Sequence, residues 1–210
     1  MKAILYGYEF SVYCRIVSMV CHEKSIEIEW REINPFDDNA PDSYGKLHPF
    51  RRVPVFIDNG FTLYETVAIT RYLDEAFPGP SLQPKDPRRR ARMAQIISVV
   101  DAYVYWPLVR QFFSHRVFRP RLGSPADEKE ASAGLEASKP ILAALENLAS
   151  GEGYLVSDQP SLADFHLGAM IDYFAMTEES AALLGQFPKL RTWWSRLEQR
   201  DSVVETRPVF

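Results

Sequence analysis

The stretch HPFRRVPVFIDNGFTLYETVAI, residues 48–69, decides the fold of the N-terminal half of this 210-residue chain. Residues 53–57 form a short apolar run that predicts a strand, and Asp58-Asn59-Gly60 is a hairpin turn signal. Residues 61–64 predict a second strand, and apolar spacing over residues 65–77 predicts a helix. The stretch is therefore typical of a strand–strand–helix unit.

A strand–helix–strand unit is expected before this stretch. Residues 3–6 form a short apolar run, residues 12–23 carry apolar side chains at helical spacing, and residues 26–31 alternate between apolar and charged. Such a unit favours two parallel strands joined by a right-handed crossover. Residues 34–47 predict a loop with one helical turn. The N-terminal half is thus expected to be an α/β domain of order βαβ-ββα.

The C-terminal half carries helical patterns only. Prolines and glycine interrupt the chain over residues 79–87, which predicts a linker between domains at residues 1–78 and 88–210. Helices are expected over residues 88–118 (bent at Pro107), 125–149, 161–176 and 188–199. Ser161 and Asp164 form a capping-box pattern at the start of the third of these helices. The second domain is therefore predicted to be an all-α helical bundle.

Composition narrows the classes of function. Hydrophobic residues make up 46% of the chain, charged residues 25%, and the net charge is −4, so nothing indicates a nucleic-acid partner. No apolar window reaches the length of a membrane span, and the N-terminus is typical of a first strand rather than a secretion signal. Cys14 and Cys21 fall on one helix, too far apart for a disulfide, which indicates a reducing cytoplasm. The scattered histidines and cysteines form no metal-ligand cluster.

Pro54 and the pair Glu65-Thr66 are the first candidates for a binding role. Pro54 lies inside a predicted strand, where proline is disfavoured. It is either a strand-edge proline or part of a cis bond that would present the backbone of Val53 to a ligand. Glu65 and Thr66 stand at the start of a helix, where anions are favoured. They either cap that helix or hold a ligand carboxylate at Thr66 and a ligand ammonium group at Glu65.

Ser11 stands at the start of the first helix, where its hydroxyl can donate to a bound thiolate. A free thiol has a pKa of about 8.5, and lowering it by about two units requires about 2.7 kcal/mol of selective stabilisation of the anion. A charge-assisted hydrogen bond of about 1.5–3 kcal/mol and a helix-dipole contribution of about 0.3–1 kcal/mol supply that amount. The alternative interpretation is that Ser11 is only an N-cap.

Five strings in this order resemble the cytosolic glutathione S-transferases over essentially the full length of the chain. They are SVYCRIV (11–17), HPFRRVPVF (48–56), LYETVAITRYL (63–73), SLAD (161–164) and FPKLRTWW (187–194). The spacing from Ser11 to Cys14 and Arg15 is similar to that of serine-type theta and phi transferases, and the chain is identified as a bacterial member of this type. The resemblance implies a thioredoxin-like N-terminal domain, an all-helical C-terminal domain, a homodimer and a role in detoxification.

The resemblance also assigns a glutathione site. The family's cis-proline maps on Pro54, and the backbone of Val53 would pair with the cysteinyl part of glutathione. Glu65 and Thr66 would hold its γ-glutamyl end. The complete set of expected glutathione-binding residues is Phe10, Ser11, Arg52, Val53, Pro54, Glu65 and Thr66.

Ser11 maps on the serine that stabilises the glutathione thiolate in the serine-type members. Tyrosine-type members use a tyrosine near the end of the first strand, so Tyr6 and Tyr8 remain competing candidates. Cys14 falls where glutaredoxin-like relatives carry the second cysteine of an active-site pair. Because Ser11 replaces the first cysteine, a dithiol cycle is excluded, and Cys14 is interpreted as a small core residue.

The chain departs from the family pattern around the glycyl carboxylate of glutathione. The family's glycine before the Val-Pro pair is replaced in the sequence Arg51-Arg52, and Arg52 is expected to contact this carboxylate. Residues that usually hold it in the preceding loop are basic, whereas Asn39, Ala40 and Asp42 are not. Lys46 and His48 are further candidates for this contact.

The electrophile site implied by the resemblance lies between the two domains and is lined by the long helix of the second. That helix offers Tyr103, Tyr105, Trp106, Arg110, Phe113 and Arg116. Tyr103, Trp106, Arg110 and Phe113 are three or four residues apart and are predicted to share one face, which suits a flat or acidic electrophile. The alternative is ordinary core or interface packing.

Three functions follow from these observations. The first is a glutathione transferase that joins the glutathione thiolate to a small hydrophobic electrophile, with glutathione as co-substrate and no metal. The second is a glutathione-dependent peroxidase or disulfide reductase that uses the same Ser11. The third is a binding or regulatory module without catalytic activity, for which Ser11→Ala should change nothing.

Overall fold

Four strands form a mixed sheet in the computed structural model, which describes residues 2–35 and 42–209. They are β1 (Ala3–Gly7), β2 (Ile28–Glu32), β3 (Val55–Asp58) and β4 (Phe61–Tyr64), in the spatial order β2-β1-β3-β4. β1 runs parallel to β2 and antiparallel to β3, and β3 runs antiparallel to β4. The predicted βαβ-ββα order of the N-terminal half is therefore confirmed.

Two helices pack with this sheet around an apolar core. They are α1 (Val12–Glu23), which has the predicted bounds, and α2 (Thr66–Ala76), and they contact each other. Leu5 of β1 and Phe56 of β3 are fully buried between these elements. At the end of α1, the buried Lys24 ammonium group donates to the carbonyl and carboxylate of Asp74 at 3.0 and 3.3 Å. This pair joins the ends of the two helices.

The hairpin between β3 and β4, the edge strand β2 and the loop before β3 each reflect their local sequence. Asn59 (φ 47°) and Gly60 (φ 86°) between β3 and β4 both have positive φ, as a type I′ hairpin requires. β2 is an edge strand with mostly exposed side chains. Its Trp30 ring lies against Gly7, where an added Cβ would come within 2.3 Å of it. The loop before β3 contains the predicted helical turn, a 3₁₀ helix over Asp42–Lys46.

The described residues from Pro87 onward are mainly helical, as predicted. The elements are α3 (Pro87–Val99), a π helix (Val100–Phe118), α4 (Arg119–Arg121), α5 (Glu128–Leu148), α6 (Leu162–Phe174), α7 (Glu178–Leu184), α8 (Pro188–Leu197) and α9 (Asp201–Val204). Two compact units result, one of residues 1–81 and 205–208, the other of residues 82–204 and 209–210. No helix in the described residues is both long enough and apolar enough to cross a membrane.

The π helix is the main departure from the expected secondary structure. Residues 88–118 were expected to form one α-helix bent at Pro107, whereas the helix widens from Val100 onward and Pro107 lies inside the wide part. Proline inside an α-helix removes a hydrogen bond and its ring clashes with the preceding turn, which a wider turn relieves. α5 packs closely here, since a Cβ on Gly134 would lie 2.6 Å from the Pro107 carbonyl oxygen.

α6 is the buried centre of the helical unit, and every one of its residues is buried. The predicted capping box of Ser161 and Asp164 is present. The Asp164 carboxylate accepts hydrogen bonds from the Ser161 N–H and hydroxyl (2.7 Å each), the Leu155 N–H (2.8 Å) and the Trp193 indole (2.8 Å). This one side chain therefore fixes the start of α6, the preceding loop and α8.

Candidate functional site

The strand register brings the predicted site segments to one end of the sheet. Tyr6 near the end of β1 pairs with Val55 at the start of β3, and Val55 pairs with Tyr64 at the end of β4. The loop to Ser11 follows β1, the Val53–Pro54 bond precedes β3, and Glu65 follows β4. Three segments distant in sequence thus meet at the same sheet end, next to the first turns of α1 and α2.

Ser11 is the N-cap of α1. Its backbone is extended, and its hydroxyl oxygen accepts a hydrogen bond from the Cys14 N–H at 3.3 Å. The N-cap interpretation is therefore correct. The hydroxyl oxygen is the acceptor in this bond, so the hydroxyl can still donate its own hydrogen to a ligand. The side chain is half-buried at the positive end of the α1 dipole. This environment favours an anion.

Cys14 is a buried neutral thiol. Burial raises its pKa to about 12, although a hydrogen bond from Ser11 opposes this effect. Burial likewise raises the pKa of Cys21 to about 12, and both cysteines are free. A neutral thiol is a weak acceptor, so an external thiolate would compete well for the Ser11 hydroxyl hydrogen. Cys14 lies in the core, as expected.

The two competing tyrosines are placed differently. The Tyr6 hydroxyl accepts a hydrogen bond from the Arg31 guanidinium at 2.8 Å. Tyr8 is half-buried against Phe10, the two rings meeting edge to face with centroids 5.4 Å apart. Burial and the nearby carboxylates of Glu9 and Glu32 raise the Tyr8 pKa, which makes its phenol a weaker hydrogen-bond donor. The raised pKa disfavours Tyr8 as the group that contacts an anionic sulfur, whereas the Tyr6 hydroxyl, like that of Ser11, accepts one hydrogen bond and keeps its own hydrogen for donation.

The Val53–Pro54 peptide bond is cis. Pro54 is buried and Val53 half-buried, immediately before β3. The preceding Arg52 carbonyl accepts a hydrogen bond from the Tyr44 hydroxyl at 2.7 Å. The backbone on both sides of Val53 is therefore held in place.

Glu65 is the N-cap of α2 by position, but its side chain makes no capping hydrogen bond. The capping alternative is therefore wrong for this side chain. Its backbone has φ 73° and ψ 116°, an unusual conformation for a residue with a Cβ. The carboxylate is exposed, and Thr66 in the first turn of α2 is buried. A carboxylate that faces solvent beside a helix N-terminus suits a ligand with both an ammonium and a carboxylate group.

His48 lies close to Glu65, whose carboxylate acts on the pKa of the imidazole. His48 is buried, with its ring 4.7 Å from the Tyr64 ring, and its Nδ1 accepts a hydrogen bond from the Phe50 N–H at 3.3 Å. Burial lowers the His48 pKa, the Glu65 carboxylate opposes this, and the Arg52 guanidinium adds to it. Arg52 itself is exposed, as is Lys46. Asn39 and Ala40 lie outside the described residues.

The four predicted electrophile-site residues have different environments in the helical unit. Tyr103 and Trp106 are 63% and 59% exposed and Arg110 is half-buried. Phe113 is only 3% exposed, with its ring 4.6 Å from that of Tyr173 in the core. The expected common face assumed α-helical spacing, whereas hydrogen bonds in a π helix reach five residues back, so spacings of three and four do not align.

Comparison with known proteins identifies the two parts of the chain. Residues 5–81 match the family described as glutathione S-transferase, N-terminal domain, and residues 98–201 match glutathione S-transferase, C-terminal domain. The chain belongs to the glutathione S-transferase family. A relative, glutathione S-transferase F13 from Arabidopsis thaliana, is 28% identical to it over 99% of this chain and 96% of its own length.

Solved structures of glutathione S-transferases share this fold. The apo form of glutathione S-transferase III superposes with a TM-score of 0.86 at 24% identity, covering 100% of this chain and 99% of that one. Glutathione S-transferase-I bound with lactoylglutathione superposes with a TM-score of 0.85 at 24% identity, covering 99% of each chain. At these identities the likeness shows the fold.

Two features of the site in this glutathione S-transferase were not predicted. Arg51, in the place of the family's glycine, has φ 49°, a left-handed conformation that glycine adopts more easily. Tyr44 is only 3% exposed, although it lies in a polar loop. An aromatic residue between Ser43 and Gly45 was the available sign that this part of the loop is anchored in the core.

Proposed function

We propose that this chain is a glutathione transferase in which Ser11 stabilises the glutathione thiolate for attack on a hydrophobic electrophile. The observation that carries the proposal is the convergence of Ser11, Val53 and Glu65 at one end of the sheet, beside two helix N-termini. The related glutathione S-transferase-I binds lactoylglutathione on the same fold, which supports the choice of ligand. Glutathione is the co-substrate in this proposal.

The parts of glutathione are assigned by charge. The γ-glutamyl ammonium group binds the exposed Glu65 carboxylate, and the adjacent carboxylate binds at Thr66 and the α2 N-terminus. The cysteinyl part pairs with the backbone of Val53 before Pro54. The glycyl carboxylate binds Arg52, and Phe10 borders the sulfur beside Ser11. The ammonium group and the glycyl carboxylate thus each meet a side chain of opposite charge, and the γ-glutamyl carboxylate meets the positive end of the α2 dipole.

Ser11 acts by donating its hydroxyl hydrogen to the sulfur, with the α1 dipole adding to the effect. Together these contributions of about 1.8–4 kcal/mol correspond to a pKa lowered by about one to three units. A pKa lowered by about two units, to about 6.5, leaves most of the bound thiol ionised at neutral pH. The thiolate attacks the electrophile, a new carbon–sulfur bond forms, and the leaving group takes the bonding electrons or the adduct takes a proton.

The acceptor for this thiolate is a small aromatic or hydrophobic electrophile. Tyr103 and Trp106 present exposed aromatic rings, and Arg110 adds a positive charge on the same π helix. Such a set binds flat molecules that carry partial negative charge. Phe113 supports the helix from the core and is not assigned a contact.

Ultraviolet absorbance of the bound thiolate, followed against pH, tests the role of Ser11. For the wild type we expect a bound-thiol pKa well below about 8.5, and for Ser11→Ala a rise of one unit or more, roughly the loss of one charge-assisted hydrogen bond. Ser11→Thr keeps both the acceptor for the Cys14 N–H and a hydroxyl donor without adding a charge, so it should retain the low thiol pKa. Ser18→Ala, on the same helix, is the matched control.

Each outcome discriminates between functions. No saturable glutathione binding by the wild type would contradict the proposal and favour the non-catalytic module. A low pKa that Ser11→Ala leaves unchanged would transfer the role to Tyr6 or Tyr8. Turnover of hydroperoxides or a mixed disulfide but not of an aryl halide would favour the peroxidase or reductase chemistry instead.

We also propose that the enzyme is a cytoplasmic homodimer of the serine type. Phe50 is 67% and Phe61 51% exposed in the N-terminal unit, and an interface with a second copy of the chain would remove such apolar side chains from water. The two free cysteines suit a reducing compartment. Light scattering of the wild type and of Phe50→Ser tests the dimer, which the substitution should weaken.

A further inference from the structure

We propose that Tyr44 is a positioning residue that aims the backbone N–H of Val53 at the bound glutathione, an inference that rests on the proposed function. Tyr44 lies outside the set of residues expected to touch the ligand. Its hydroxyl donates to the Arg52 carbonyl at 2.7 Å, and this carbonyl belongs to the same peptide unit as the Val53 N–H.

Because the peptide unit is planar, this hydrogen bond also fixes the direction of the Val53 N–H. The Arg52–Val53 peptide bond is trans, since the cis bond in this segment is the one that follows Val53. In a planar trans peptide the carbonyl oxygen and the N–H point in opposite directions. A carbonyl held by the buried Tyr44 hydroxyl therefore directs the Val53 N–H away from the core. Rotation of the peptide unit would break the hydrogen bond to Tyr44.

Tyr44 is itself firmly anchored. Its ring centroid lies 5.9 Å from that of Tyr6 on β1, and Tyr6 pairs with Val55 directly after the cis proline. Its backbone carbonyl accepts hydrogen bonds from the Leu47 and His48 N–H groups at 2.9 and 3.0 Å. The His48 carbonyl in turn accepts from the Arg51 N–H at 2.9 Å. Tyr44 thus connects the 3₁₀ helix to the whole segment that leads to Val53.

The Tyr44 hydroxyl remains a hydrogen-bond donor over the whole pH range of the experiment. Burial raises the Tyr44 pKa well above its usual value, so the phenol stays protonated wherever the glutathione thiol is titrated. An effect of Tyr44 on glutathione binding is therefore expected to be independent of pH. This separates it from Ser11, whose contribution follows ionisation of the thiol.

Tyr44→Phe removes only the hydroxyl and keeps the buried ring. The matched control is Tyr72→Phe, because the Tyr72 hydroxyl also makes one hydrogen bond, to the Asp58 carboxylate at 2.8 Å, at the opposite end of β3. For Tyr44→Phe we expect the Kd and KM for glutathione to rise about 3- to 10-fold, the scale of one lost hydrogen bond. The bound-thiol pKa and kcat at saturating glutathione should stay at wild-type values.

Isothermal titration of glutathione, steady-state kinetics and thermal unfolding of the three proteins decide the question. The proposal is supported if Tyr44→Phe alone raises the Kd for glutathione, and if the ratio of its Kd to that of the wild type is the same at about pH 6.5 and about pH 8. Wild-type affinity in Tyr44→Phe, equal losses in both variants, or a shifted thiol pKa would each overturn it. Failure of the wild type itself to bind glutathione would instead overturn the proposed function.

Discussion

His166 is expected to make the stability of the helical unit steeply dependent on pH. The side chain is fully buried in α6, and this burial lowers its pKa from 6.5 to about 3. A folded-state pKa below the unfolded one means that the unfolded chain binds the proton more tightly. The stability due to the neutral imidazole is therefore fully present above about pH 6.5 and is lost as the pH falls toward about 3.

The magnitude follows from the two pKa values. At pH 5 the unfolded histidine is protonated and the folded one is not, which lowers the free energy of unfolding by about 2 kcal/mol relative to neutral pH. The full difference of 3.5 pKa units corresponds to about 5 kcal/mol at the acid limit. Since total stabilities are about 5–15 kcal/mol, one buried histidine is a large part of acid sensitivity.

Urea unfolding of wild type, His166→Gln and His166→Leu between about pH 7.5 and about pH 5 measures this effect. Both variants differ from wild type in absolute stability, so the quantity to compare is the change with pH within each protein. We expect that change to be smaller by about 2 kcal/mol in both variants. Ser18→Ala, a substitution on α1 that changes no titratable group, is the control and should keep the wild-type profile. If both His166 variants keep the wild-type slope, the reasoning is refuted.

Two further substitutions test the packing of each unit. Lys24→Met leaves the Asp74 carboxylate buried without its ammonium partner, so the free energy of unfolding should fall by about 3–5 kcal/mol. The double variant Lys24→Met with Asp74→Leu should recover most of this lost stability. Urea unfolding measures both variants. Gly134→Ala places a Cβ 2.6 Å from the Pro107 carbonyl oxygen and should cost about 1–3 kcal/mol in the same assay, whereas Gly45→Ala, with nothing within 4 Å, should be close to neutral. A tolerated Lys24→Met, or equal effects of the two glycine substitutions, would contradict these expectations.

The strands and first helices could be predicted because local signals agree with the fold there. α1 has the predicted bounds, since the apolar spacing and the Ser11 cap mark the same start. The hairpin from β3 to β4 follows from Asn59 and Gly60, which adopt positive φ easily. In these segments each local preference already favours the final structure.

The helical unit was harder to predict because tertiary packing determines its details. The π helix accommodates Pro107 and the close approach of α5, and neither is visible in apolar spacing. α7 spans seven residues, too short for a repeating pattern, and was missed although Thr177 caps it. Phe113 looked like part of an aromatic binding face, and only the burial of its ring against Tyr173 places it in the core.

The residues of the proposed glutathione site were predicted from the sequence, but the Tyr44 hydrogen bond beside them was not. The residues that touch the ligand in the proposal carry recognisable types and spacings. Tyr44 carries neither, because its role depends on burial and on a hydrogen bond to a backbone carbonyl eight residues away. The sequence also did not show that the Glu65 side chain makes no capping hydrogen bond, because a glutamate at a helix start is normally favoured by the helix dipole.

Backbone conformation points to the same site independently of family likeness. Among the described residues other than glycine, positive φ occurs at Ser25, Arg51, Asn59 and Glu65. Asn59 is explained by its hairpin turn, and Ser25 directly follows the end of α1, where a left-handed residue is common. Arg51 and Glu65 have no such explanation, and both flank the Val53–Pro54 segment in the fold.

Glu65 therefore combines a cost to the fold with a proposed gain in binding. A residue held in so unfavourable a conformation costs about 1–3 kcal/mol, and glycine adopts it without the steric penalty. Glu65→Gly should raise the free energy of unfolding by about 1 kcal/mol, since part of the relief is offset by the added entropy of the unfolded chain. The same change removes the carboxylate proposed for the glutathione ammonium group and should weaken the Kd at least tenfold. Glu65→Ala removes the carboxylate without relieving the backbone, so it should weaken binding and gain no stability. If the conformation is retained for the ligand, Glu65→Gly should unfold less easily and bind glutathione more weakly. A lower free energy of unfolding together with weaker binding would show instead that the glutamate stabilises the fold.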